Sequence, residues 1–155
     1  MGGVVVAVAL GSNLGDRRAH LGFARQRLDR LLADVLFSDE LDTEPVGVGP
    51  QPRFLNAAAT GRTTLAPRAL LDALLAVERE RGRTRPMPGA ARTLDLDLVL
   101  YGDRIVEEAG LVVPHPRFRE RGFVLEPLAQ IAPDLIDPVT GLTVAALRAR
   151  LAARG

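Results

Sequence analysis

The chain has 155 residues, 47% of them hydrophobic and 25% charged, with a formal net charge of +1 at pH 7. That is the size and composition of one ordinary globular domain spanning 1–155, large enough to bury its own core, and its near-zero charge gives no global attraction to nucleic acid or an anionic membrane. Disulfides, thiolate metal sites and a cysteine nucleophile are excluded because there is no cysteine, and all 20 basic residues are arginine, which excludes a lysine-bearing phosphate loop. Any grip on phosphate must come from arginine forks or backbone amides. The two histidines, His20 and His115, are too few for a histidine zinc site unless carboxylates complete it.

Val4 to Leu10 is a continuous apolar run rich in valine, the pattern of a central strand buried on both faces. It is too short to cross a bilayer, and the expected compartment is the cytoplasm. The turn Gly11-Ser12-Asn13-Leu14-Gly15 leads into a helix with Asp16 as N-cap and Leu21, Ala24, Leu28, Leu31 and Leu32 at helical spacing, ending near Ala33. Such a glycine turn can cradle phosphate on its amides, and it is equally what any strand-to-helix corner looks like. Val35 to Thr43 reads as one further strand with Phe37 and Leu41 facing inward. Residues 44–52 form a loop dense in proline and glycine, too long for a tight hairpin. An extended pattern resumes at Phe54 and runs to about Thr64. Its alanines predict close approach by another layer, and Asn56 reads as a satisfied residue near an edge.

Pro67 opens a second helix, with Leu70, Leu71, Leu74, Leu75 and Val77 as its apolar stripe and Gly82 as its C′ residue. The stretch 83–92 lacks apolar periodicity and carries Arg83, Arg85 and Arg92. In the strand that follows, alternation puts Leu94, Leu96, Leu98 and Leu100 on one face and Asp95, Asp97, Val99 and Tyr101 on the other. A strand advances about 3.3 Å per residue, so the two carboxylates stand roughly 6.5 to 7 Å apart at the backbone and point the same way. Two anions so placed suit Mg²⁺, which takes one or two carboxylates plus substrate phosphates; the plainer alternative is the wet face of a half-buried strand. Arginines beside them are how triphosphate charge is neutralised during transfer, with a solvated loop as the alternative.

After the turn at Gly102-Asp103, Arg104 to Val106 reads as a short paired strand and 111–116 as an extended piece whose prolines flank His115. Arg117, Arg119 and Arg121 alternate ahead of an apolar segment ending at Ile131, and Thr143 N-caps a terminal amphipathic helix through Leu147 and Leu151. The class is α+β, with helices on one or both sides of a mixed sheet.

Together these segments resemble the 6-hydroxymethyl-7,8-dihydropterin pyrophosphokinases of folate biosynthesis. The resemblance rests on Ala9-Leu10-Gly11-Ser12-Asn13-Leu14-Gly15, on Thr43-Glu44-Pro45 with Phe54-Leu55-Asn56-Ala57-Ala58, and on Arg92-Thr93-Leu94-Asp95-Leu96-Asp97-Leu98 with Tyr101-Gly102. Val113-Pro114-His115-Pro116, Arg121-Gly122-Phe123-Val124-Leu125 and Pro127-Leu128 complete it, in order and nearly end to end. It implies a ferredoxin-like fold, a mixed or antiparallel sheet with helices packed on both sides. The implied activity is Mg²⁺-dependent transfer of an intact pyrophosphate from ATP to the pterin hydroxymethyl, releasing AMP. Asp95 and Asp97 would bridge two Mg²⁺ ions, Arg83 and Arg92 would neutralise charge on the transferred group, and Arg85 would help in the same segment. His115 and Arg121 would hold ATP phosphates, and Glu78 would lie by the nucleoside. For the pterin, Phe54 and Phe123 would sandwich the ring, Asn56 would read its edge, and backbone groups around Thr43 and Val46 would complete recognition. The implied partners are small molecules, with no nucleic acid and no membrane, and a monomeric state is compatible with this.

The sequence departs from the family at Pro88-Gly89-Ala90-Ala91, where relatives commonly carry a basic residue, tryptophan, glycine and proline that help cover bound substrates. One alternative is therefore a homologue that binds without turnover. Another is a nucleic-acid-binding module of similar fold, which the near-neutral charge, the 4% aromatic content and two carboxylates on a sheet face disfavour.

Overall fold

The computed structural model describes residues 2–45, 51–82 and 93–154. In chain order the elements are β1 (Val4–Ser12), α1 (Arg17–Leu31), β2 (Ala33–Phe37), β3 (Leu41–Thr43), β4 (Phe54–Thr63), α2 (Pro67–Glu80) and β5 (Asp95–Tyr101). A hairpin of β6 (Val106–Glu108) and β7 (Leu111–Val113), a 3₁₀ turn (Phe118–Glu120), α3 (Gly122–Ile131) and α4 (Val144–Ala153) follow. Strand order in the main sheet is β2, β4, β1, β5, with β3 also on β4. Every described pairing is antiparallel. No helix among the described residues is long and apolar enough to cross a membrane.

β1 is central because it is apolar on both faces, and each face feeds a separate core. Val6, Val8 and Leu10 join Leu21, Ala24 and Leu28 of α1 and Leu70, Leu74 and Val77 of α2. Ala7 and Ala9, with Ala58 of β4, lie under Val124, Leu125 and Leu128 of α3 and Val144 and Leu147 of α4. The alanines are small where a helix sits close over the sheet, as the sequence suggested. Helices thus cover both faces.

Three expectations need correction. The alternation in β5 breaks at a bulge, where Ala7 pairs with Leu100 and Val8 with Leu98, leaving Val99 extra. Tyr101 therefore joins the leucine face, its hydroxyl donating to the Leu65 carbonyl, while Leu100 turns to the other core. The expected single strand 35–43 is two strands, β2 and β3, split at Ser38. There the Ser38 hydroxyl accepts from the Ala58 amide and donates to the Asp39 carbonyl, each at 2.8 Å, turning the chain out of the ladder. Leu41 is 37% exposed rather than inward-facing. The apolar segment ending at Ile131 is helix α3, with Pro127 inside it.

Beyond α3, the loop before α4 is gathered on one carboxylate. Asp137 is fully buried and receives both Arg119 Nε at 2.5 Å and Nη2 at 2.9 Å, with the Thr140 hydroxyl at 2.8 Å. Burial alone would raise its pKa, but the bonds from Arg119, Thr140 and the Val139 amide hold it below its ordinary value. This pair therefore contributes stability above the ordinary carboxylate range, lost as pH falls through the folded-state pKa. Asp137→Ala should cost about 3 kcal/mol by urea denaturation near neutral pH, because it leaves a half-buried guanidinium unpaired. A loss below about 0.5 kcal/mol, the range of ordinary surface substitutions, would show that the loop does not depend on it.

Candidate active site

The sheet register lines up polar residues that lie far apart in sequence. Across the face covered by α3, Asp95 of β5 sits opposite Gly11 of β1, which sits opposite Asn56 of β4. One step along, Asp97 lies opposite Ala9, and Ala9 opposite Ala58. One step the other way, Phe54 pairs with Thr43 of β3. Strands stand about 4.8 Å apart, so Asp95 and Asn56 are separated by about 10 Å at the backbone, with only a glycine between. Gly11 is small for a reason: a β-carbon there would lie 3.1 Å from Asn56 Nδ2 and 3.7 Å from Phe54 Cδ1. Glycine inside a strand marks such a close approach.

Asn56 is 6% exposed and inside the sheet, not at an edge, because β2 and β3 both lie outside β4. Its Oδ1 accepts from the Thr43 hydroxyl at 2.6 Å, which fixes the side-chain amide in one orientation. Phe54 and Phe123 are both half-buried, and Phe123, near the start of α3, packs partly against the core on this same sheet face. Two aromatic rings and one oriented amide on a flat floor suit a planar heterocycle with a polar edge.

The other end of the row is charged. Asp95 and Asp97 are half-buried on the same face of β5. The His115 amide donates to the Val99 carbonyl at 2.9 Å, which sets His115 against β5. Its Nδ1 accepts from the Arg117 amide at 3.2 Å, so the neutral ring carries its proton on Nε2, free of that contact. Burial lowers its pKa below the usual 6.5, Arg121 pushes the same way, Asp95 opposes, and Arg117 adds to the lowering. Arg121 caps α3 and lies with its guanidinium carbon 5.5 Å from the Phe123 ring centre.

Glu78 lies away from solvent, 2% exposed, its Oε2 accepting from the Leu96 amide at 2.6 Å between the two aspartates. Val46, Arg83, Arg85, Arg92 and the segment 86–91 lie outside the described residues. The sequence reading missed Gly11 and Asn13. Asn13 is 1% exposed and its Nδ2 donates to Gln51 Oε1 at 2.9 Å and the Pro52 carbonyl at 3.2 Å, fastening the chain that leads into Phe54. An asparagine after a glycine-serine pair in a turn was the available signal.

Among the described residues no group of three or more His, Asp or Glu side chains comes together to hold a metal. His115 and Asp95 are nevertheless electrostatically linked. The His115 imidazole should titrate below 6.5 by NMR, higher in Arg121→Gln and lower still in Asp95→Asn. Shifts of the same sign in both variants would mean that the cluster is not arranged this way.

The sequence model of the 7,8-dihydro-6-hydroxymethylpterin-pyrophosphokinase family matches residues 7–133. A 2-amino-4-hydroxy-6-hydroxymethyldihydropteridine pyrophosphokinase of Pseudomonas aeruginosa is 46% identical over 135 residues, 86% of this chain and 83% of that protein. The protein of the same name from Bacillus subtilis is 43% identical over 129 residues, 82% of this chain and 77% of that one. Among solved structures, a crystal structure of an HPPK-DHPS in complex with substrates superposes with a TM-score of 0.80 at 11% identity, over 99% of this chain. The chain spans 44% of that longer crystal chain, and the likeness shows the shared ferredoxin-like fold. With the model matched over most of its length and relatives this similar, the chain belongs to the 7,8-dihydro-6-hydroxymethylpterin-pyrophosphokinase family.

Proposed function

We propose that the chain transfers an intact pyrophosphate from ATP to the hydroxymethyl group of 6-hydroxymethyl-7,8-dihydropterin, releasing AMP, as a step of folate biosynthesis. The observation that carries this reading is the continuous row from Asp95 through Gly11 to Asn56, with Phe54 beyond it. It joins a charged end suited to a metal-bound triphosphate to a flat end suited to a pterin. The substrates are small molecules, so no nucleic acid or membrane partner is needed, and the reaction is assigned to the cytoplasm.

In bond terms, the pterin hydroxyl oxygen forms a bond to the β-phosphorus of ATP. The bond from that phosphorus to the α,β-bridging oxygen breaks, AMP leaves with the electron pair, and the hydroxyl proton passes to solvent. Asn56, held by Thr43, orients the pterin edge so that the hydroxymethyl faces the aspartates, while Phe54 and Phe123 flank the ring. Neutral His115 donates from Nε2 to a phosphate oxygen and Arg121 adds positive charge beside it. The donor chemistry fits Mg²⁺: two half-buried carboxylates, hard oxygen ligands, on one face of a rigid strand. Asp95 and Asp97 would hold two such ions, whose charge offsets that of the triphosphate. Arg83 and Arg92 are proposed to neutralise the transferred group, with Arg85 in support. Val46 is proposed as a backbone contact to the pterin, and Glu78 acts near the nucleoside by holding β5.

AMP release from Mg-ATP should depend on added pterin, and Asp97→Ala should lower kcat by at least about 10²-fold with unchanged circular dichroism. Near-normal turnover in that variant would remove Asp97 from the metal site. Gly11→Ala should raise the pterin KM about tenfold, since the added methyl crowds Asn56, and leave the ATP KM within about twofold. Equal effects on both substrates would break the division of the row into two ends.

A further inference from the structure

His20 is half-buried on α1, and no role has been given to it above. Its Nδ1 accepts from Arg81 Nε at 2.8 Å, across to the C-cap of α2. An imidazole nitrogen that accepts carries no proton, so the bridging ring is neutral with its hydrogen on Nε2. That side of the ring faces the β1–α1 turn: Nε2 is 3.2 Å from where a β-carbon on Gly15 would stand, and the Leu14 backbone acts to raise the ring's pKa. Gly15 has φ +73°, in the left-handed region that tolerates no side chain cheaply, so the turn is shaped to let the ring approach.

The surroundings hold Arg81 in place without His20's charge. The Arg81 and Arg27 guanidinium carbons each lie 4.9 Å from the Phe23 ring centre, and Arg27 pairs with Glu80 at 3.0 Å. From its own helix the ring feels Asp16, and from α2 it faces Arg81. Burial and Arg81 favour the neutral form, outweighing Asp16 and the Leu14 backbone, so its pKa is lowered from 6.5. Both ends of the bridge lead to the site. The turn carries Asn13, which fastens residues 51 and 52, and follows Gly11. On α2, Glu78 lies one helical turn before Arg81 and holds the Leu96 amide between Asp95 and Asp97.

We infer that His20 is a positioning residue: its neutral imidazole ties the β1–α1 turn to the C-terminal end of α2, holding the pterin side and the aspartate strand in their working spacing. Protonation removes the acceptor and sets a cation against Arg81, so the tie opens in acid. The sign follows from the lowered pKa. The tie is complete above 6.5 and is lost as pH falls through the folded-state value.

The kinetic effect rests on the activity proposed above; the tie itself does not. At pH 8, His20→Ala should lower kcat for pterin-dependent AMP release about three- to tenfold, the worth of one hydrogen bond, with both KM values within about twofold. His20→Asn puts an amide oxygen where Nδ1 stands and should restore kcat. Its kcat relative to wild type should climb as pH drops below 6.5, because asparagine does not titrate and His115 is common to both proteins. With only two histidines, the NMR titration is assigned directly: His20 should titrate below 6.5 and move up in Arg81→Met. A wild-type kcat in folded His20→Ala, or a flat Asn-to-wild-type ratio across pH, would overturn the positioning role. A His20 signal unmoved by Arg81→Met would overturn the tie, even if wild type released no AMP and the proposed activity fell. If His20→Ala fails to fold, Arg81→Met takes its place in the assay and should show the same loss of kcat.

Discussion

The strand that carries two carboxylates side by side takes its register from β1 and is held on its outer side by a buried glutamate. Glu78 takes the Leu96 amide on the side of β5 that no described strand covers. An unpaired amide in a dry place costs a few kcal/mol, and a charge-assisted bond removes that cost while fixing the strand against α2. On the same open side, the His115 amide takes the Val99 carbonyl at the bulge. These two contacts convert an edge strand into a framed one. Asp95 and Asp97 inherit their direction from it.

The sheet then works as a two-sided board. One side is largely apolar and packs against α1 and α2, while the other is apolar under α3 and α4 but turns polar toward the Gly11 end. The transition happens within single strands: Ala58 lies in the core while Asn56, two residues away on β4, is polar, and Ala9 lies in the core while Gly11 pairs with Asn56. The same alanines let α3, which carries Phe123, sit close over this face.

What was legible in the sequence was local. Val4 to Leu10 announced a central strand, Asp16 and Thr143 their helix starts, and Pro67 and Gly82 the limits of α2, since each signal lies within one turn of what it specifies. The Asp95 and Asp97 pair was visible for the same reason. What stayed hidden depends on pairing. The bulge at Val99 is a property of two strands, so alternation alone placed Tyr101 and Leu100 on the wrong faces. The row through Gly11 needs three strands in register, and a lone Asn56 carried no sign of it. Helix α3 showed in the sequence only as an apolar segment, although Val124, Leu125 and Leu128 keep helical spacing. There the core on one face of the helix outweighs poor local propensity.

The break at Ser38 reaches beyond the site. A sheet boundary built from one straight strand would present an uninterrupted ladder of amides and carbonyls, onto which a strand from another molecule could zip. Here that boundary is two short pieces, β2 and β3, joined by a kink whose backbone is already engaged with Ser38. On β3, Asp42 is held between Arg17 and Arg53, which puts charge on that margin of the sheet. With the opposite boundary framed by Glu78 and His115, neither margin of the sheet offers a long clean template among the described residues. Among the described residues, this leaves little open edge on which a second copy of a chain that is 47% hydrophobic could pair.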